Sequence, residues 1–207
     1  MVLNRYFSYK LWFTKAVALL MAAGVLLLTS CNMKEEDSAV SILKDGTIDA
    51  RIVDSFEKSY YNQEELQQKI LMEAAGYNRR VGEDAISVEK VAVEDGVVKV
   101  KMTYARASDY ADFNNGVFFV GSIEEAREAG YDLNKVLVSV KDNLVTVGVS
   151  DILAMTDVQI LITDMKEPVH LNGKAAYISS NVSVDEKLKS VIFNEESEEM
   201  SYVIFAN

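Results

Sequence analysis

Asp109 and Asp112, three residues apart in the stretch SDYADFNNG, are the carboxylates whose surroundings best suit chemistry, because Tyr104, Tyr110 and Phe113 lie close to them in sequence. Two neighbouring carboxylates can divide acid and base roles. With the amides of Asn114 and Asn115 they can also offer oxygen ligands to a cation or to sugar hydroxyls. EF-hand spacing is absent, so the pattern does not predict a calcium loop. The same residues also suit a capped helical turn, opened by Ser108, favoured by aspartate near its N-terminus and closed by Asn114-Asn115-Gly116. Asp109, Asp112, Tyr104 and Tyr110 are therefore the candidate ligand-binding residues.

The remaining chemistry is sparse. His170 is the only histidine, beside Pro168 and the turn residues Asn172-Gly173, and Cys31 is the only cysteine. This composition excludes zinc sites built from cysteines or several histidines. No Gly-x-Ser-x-Gly elbow occurs to pair a serine with His170, and His170 reads as a surface or turn residue. No phosphate-binding loop or dinucleotide fingerprint is present, so no cofactor and no metal is predicted. Trp12 is the only tryptophan, which leaves stacking on sugars or bases to tyrosine and phenylalanine.

The N-terminal stretch carries the clearest signal. Arg5, Lys10 and Lys15 are the only charged residues in the first thirty, and residues 16–28 form an uncharged apolar run. A membrane-crossing helix needs about 20 apolar residues, so this run is short. The basic start, short apolar core and small residues fit a secretory signal. Together with the final Leu28-Thr29-Ser30-Cys31, the stretch resembles the signal peptide and lipobox of bacterial lipoprotein precursors. That resemblance implies cleavage before Cys31, a diacylglycerol on its thiol and added acyl chains such as palmitate. It places the protein on the extracytoplasmic face of a bacterial cell membrane, held by lipid on Cys31. Stable anchoring by acyl chains generally takes two of them.

The implied organisation is a signal peptide over residues 1–30, a lipidated tether over 31–46 and one globular domain over 47–207. Net charge is −11, and removal of a basic leader makes the remainder more acidic. Such a surface repels phosphate backbones and anionic head groups. Nucleic acid is excluded as a partner, and a protein or small molecule remains.

The domain's elements follow from punctuation and period. Ile48, Ala50 and Ile52 alternate as a first strand. A helix then opens on Asn62, with Glu65 as its capping-box partner and Tyr61 stapling Leu66. Leu66, Ile70 and Ala74 form its apolar stripe, and Gly76 is its expected stop, with Tyr77 folding back on Met72. A second helix has Ser122 and Glu125 as its capping box and Gly130-Tyr131 as its stop. Asp95-Gly96 predicts a hairpin turn, setting Val93 opposite Val98 and Val91 opposite Val100, with a bulge near Glu89-Lys90. Asp142-Asn143 predicts another, in which Val136, Val138 and Val140 face Val149, Val147 and Val145. Further strands are expected at 158–163, 169–171, 175–179, 191–193 and 202–205, with short helices after Ser150 and Ser183.

Hairpins outnumber helices. The expected class is α+β, a mainly antiparallel sheet built from hairpins and covered by two or three short helices. Three functions fit: a binding or interaction module displayed at the cell surface, an extracytoplasmic hydrolase using acidic residues on a wall or glycan substrate, and a structural component of an envelope complex.

Overall fold

The computed structural model describes residues 37–58 and 61–206. They form an α+β fold with two mostly antiparallel sheets. The first has the strand order β11 (Val182–Val184), β12 (Ser190–Phe193), β9 (Val169–His170), β1 (Ala39–Ile42), β2 (Ile48–Ser55), β4 (Val97–Tyr104) and β3 (Ile86–Glu94). The second runs β5 (Phe118–Gly121), β8 (Gln159–Thr163), β13 (Ser201–Ala206), β10 (Lys174–Ile178), β6 (Leu137–Ser139) and β7 (Thr146–Val147). The described helices are α1 (Gln63–Val81), α2 (Ala107–Asn114), α3 (Ile123–Glu128) and α4 (Val149–Leu153).

The β3–β4 hairpin shows how local chemistry sets register. Asp95 (φ 52°) and Gly96 (φ 75°) both take left-handed backbone, as a twist-matched two-residue turn requires. Val93 pairs Val98 and Val91 pairs Val100. The register shifts between Val88 and Lys90, so Glu89 is the bulged residue. The shift keeps Ile86 and Val88 opposite Tyr104 and Met102.

The first sheet has one apolar and one polar face. Val98, Val100, Met102 and Tyr104 are buried and their neighbours on β4 are not. On the polar side Lys101 Nζ lies 3.5 Å from Asp49 and 2.7 Å from Glu89. The second sheet is buried on both faces at its centre. Leu161, Val203 and Phe205 join the core beneath the first sheet. Ile160, Ile162, Tyr202 and Ile204 join another that includes Ile123 of α3 and Ile152 of α4. Unbroken apolar runs such as Tyr202-Val203-Ile204-Phe205 suit strands covered twice.

Four expectations are corrected. Residues 39–42, expected in the tether, form β1 between β2 and β9, because Val40 and Ile42 bury their side chains in the core. Gly76 lies within α1, which runs to Val81 and ends on Gly82 (φ 79°), whose N–H donates to Asn78 O. Beyond Gly76, Asn78 exchanges two side-chain hydrogen bonds with the Ile86 backbone, both 2.9 Å. Such tertiary contacts offset the roughly 1 kcal/mol that an internal glycine costs a helix.

The third correction is the β6–β7 register. Leu137 pairs Val147 and Val138 pairs Thr146, one residue away from the expected pairing. The turn closes from Val145 N–H to Asp142 O at 2.9 Å, which centres it on Asn143-Leu144. A one-residue slip exchanges the faces of a strand. Leu137 and Val147 are accordingly buried, whereas Val136 and Val145 are exposed. Finally, no helix follows Ser183 among the described residues: Ser183 and Val184 belong to β11, paired with β12, and residues 185–189 form the turn between the two strands, with Leu188 N–H donating to Asp185 O at 3.0 Å.

Candidate functional site

The helix carrying the candidate pair opens at Arg106, whose backbone is extended at φ −141°, and not at Ser108. Among the described residues no side chain caps it. It ends as expected, on Asn115 in the left-handed region (φ 55°), with Gly116 N–H donating to Ala111 O at 3.1 Å. Asn114 Nδ2 also donates to Tyr110 O at 2.8 Å.

Asp109 and Asp112 sit one turn apart in different media. Asp109 is buried at 2% exposure. Its Oδ1 accepts from the Tyr77 hydroxyl at 3.0 Å and from Arg106 Nη2 at 3.1 Å. Its Oδ2 accepts from Arg106 Nε at 2.9 Å. The carboxylate therefore clamps the start of α2 to the C-terminal part of α1. Arg106 reaches further to Glu83, and the Asp109 and Glu83 carboxylates hold its guanidinium above its ordinary pKa. Burial, reinforced by the Asp109 carboxylate, pushes Tyr77 up to about 12. Asp112, by contrast, is exposed. No acid–base pair is assembled from the two.

The two candidate tyrosines are core residues. Tyr104 is 1% exposed, and burial raises its pKa to about 12. Its ring stands edge-on to Tyr110 at 5.1 Å, and Tyr110 stands edge-on to Phe118 at 4.9 Å. Burial pushes the Tyr110 hydroxyl well above its usual pKa, with the Glu167 charge adding to the effect. Both side chains face the interior, so neither offers a platform to a ligand from solvent. The expected constellation thus divides: Asp109, Tyr104 and Tyr110 belong to the packing, and Asp112 alone meets solvent.

Asp112 does border a depression of about 400 Å³. Ala107, Ser108 and Ala111 line it from α2, and residues 116–120 line it along β5. Tyr131 closes one side, its ring 4.9 Å from Phe119.

His170 lies in strand β9, half-buried, and not in a turn. Its Nδ1 is 2.9 Å from Ser190 Oγ, its cross-strand partner on β12. Burial and the Arg51 charge push its pKa down. Asp185 is engaged elsewhere, accepting from the backbone N–H groups of Lys189 and Ser190 at 2.7 and 3.0 Å. Histidine and serine thus meet as a cross-strand pair, with no carboxylate among the described residues bonded to the ring. Cys31 lies outside the described residues. Among those residues, no group of three or more His, Cys, Asp or Glu could hold a metal ion, and no helix is long and apolar enough to cross a membrane.

Arg106 and Tyr77 complete the buried cluster. Arg106 precedes Asp109 by three residues, a spacing that brings side chains together at a helix. Tyr77 is thirty-two residues away in sequence, and no local pattern connects it to Asp109. No family model, curated protein or solved structure matches this chain.

Proposed function

We propose that this protein is a membrane-anchored extracytoplasmic lipoprotein whose folded domain is a binding or interaction module. The observation that carries the reading is Cys31, the chain's only cysteine, placed after small residues at the end of a short apolar run behind three basic residues. A thiol carrying lipid needs no disulfide partner. The first strand begins at Ala39, eight residues after Cys31, and eight residues span at most roughly 30 Å. A domain so tethered stays close to the bilayer. Its acidic charge gives anionic head groups no electrostatic attraction, so the acyl chains supply the attachment.

The geometry around α2 favours binding over catalysis within this reading. Asp109, half of the expected acidic pair, already accepts hydrogen bonds from Tyr77 and Arg106 and is closed to solvent. The test is metabolic labelling with an alkyne-tagged fatty acid in a bacterial host. The wild-type chain takes up label and partitions with membranes, and Cys31→Ala does neither. Equal labelling of the two would overturn the assignment.

A further inference from the structure

We propose, building on the reading of this domain as an interaction module, that the trough between α2 and the outer edge of β5 binds an extended peptide by strand addition, with a basic side chain of that peptide meeting Asp112. β5 is the outermost strand of the second sheet. It pairs with β8 on its other side, Phe119 opposite Ile162 and Gly121 opposite Ile160. Asp164 N–H donates to Val117 O at 3.3 Å, which fixes the alternation of the ladder. Residues 117, 119 and 121 therefore direct their backbone groups toward β8, and Phe118 and Val120 direct theirs away from it. Phe118 is 3% exposed, so half-buried Val120 carries the open N–H and C=O of this edge, and unpaired edge groups are a template for another strand.

The trough is shaped around that edge. Residues 116–120 form one wall, and Ala107, Ser108, Ala111 and Asp112 stand on the α2 wall; Ala107 and Ala111 are four residues apart on one row of the helix and Ser108 and Asp112 on the next. The two alanines leave space beside the strand. Past Val120 an adjoining depression reaches Gln159 and Asn172. Gln159 Oε1 and Asn172 Oδ1 are buried there with no hydrogen-bond partner among the described residues.

The charges select the occupant. Arg106 is engaged by Asp109 and Glu83, whereas Asp112 makes no ion pair among the described residues and the whole chain is acidic. Amide oxygens accept hydrogen bonds, and the Asp112 carboxylate both accepts them and repels anions. The matching ligand brings N–H donors and positive charge: an extended main chain carrying lysine or arginine.

The test uses the full chain in detergent micelles, panned against a phage-displayed library of random dodecapeptides. Enriched peptides are then made synthetically and titrated by fluorescence polarisation. They are expected to carry lysine or arginine. Val120→Pro removes an outward-facing N–H, which an edge strand tolerates, together with a valine side chain packed against the core, and binding is expected to weaken by more than tenfold. Asp112→Lys is expected to weaken the basic peptides by about tenfold and to restore affinity for versions with glutamate in place of the basic residue. This charge exchange carries the test should the proline variant fail to fold. Enrichment no better than on empty micelles, or binding indifferent to both changes, would overturn the inference. A chain labelled by fatty acid at Cys31 but blind to these peptides would refute strand addition alone, whereas loss of the Cys31 result would refute the parent reading.

Discussion

The two sheets of this domain use the same backbone pairing in different environments. The second sheet has a core on each face, and its central strand β13 is buried from Ser201 to Phe205. The first has a core on one face and paired charges on the other, with Lys101 between Asp49 and Glu89. Stability is therefore concentrated in the second sheet, and the outer face of the first tolerates change. The trough lies where the second sheet runs out at β5 and α2 flanks its edge.

This contrast is sharpened by substitutions graded along it. Ile204→Ala, at 0% exposure in the doubly covered strand, is expected to cost about 2–5 kcal/mol. Denaturant unfolding monitored by circular dichroism measures it. Tyr77→Phe leaves Asp109 one donor short and is expected to cost about 1 kcal/mol in the same assay at neutral pH. Lys101→Ala, on the solvated face, is expected to shift the thermal midpoint by under about one degree, since exposed ion pairs contribute little. An effect of Lys101→Ala as large as that of Ile204→Ala would break the comparison.

Titration gives the contrast a pH signature. Tyr77 and Tyr104 ionise near 12 in the fold and near 10 in an unfolded chain. Between pH 10 and 12 the unfolded chain has released protons that the folded chain retains, so stability falls as pH rises through that window. Tyr77→Phe is expected to lose less stability across the window than the wild type, read as the change in urea midpoint from pH 10 to 12. His170 gives a smaller effect at the other end. Its pKa is depressed, so its contribution is complete above about 6.5 and is lost as pH falls below that value. His170→Gln is expected to flatten the decline of the urea midpoint below pH 6.5.

Much of this architecture was legible in local sequence because local chemistry determined it. Asp95-Gly96, the Glu89 bulge, the Ser122–Glu125 capping box and the Gly130 stop all act through neighbours within a few residues, and each stands in the fold where the pattern put it. Three features depended on distant partners. β1 is held by β2 and β9, α1 passes Gly76 because Tyr77 and Asn78 have tertiary contacts, and the β6–β7 pairing shifts by one residue so that Leu137 meets Val147 and both reach the core. The candidate site was half legible. SDYADFNNG marked the right helix and its left-handed end at Asn115, but nothing in that stretch records that Tyr77 and Arg106 would draw Asp109 inward and leave Asp112 outside.

That division is the central structural claim, and one measurement tests it most directly: the thermal midpoints of Asp109→Ala and Asp112→Ala beside the wild type. Removing Asp109 leaves a buried tyrosine hydroxyl without its acceptor and releases Arg106, at a cost of about 1–3 kcal/mol. For a chain of this size each kcal/mol lowers the midpoint by roughly 2–4 °C. Asp112→Ala is expected to leave it unchanged to within about one degree. Equal shifts in the two variants, or a larger one for Asp112→Ala, would contradict the assignment of Asp109 to the fold and Asp112 to the trough.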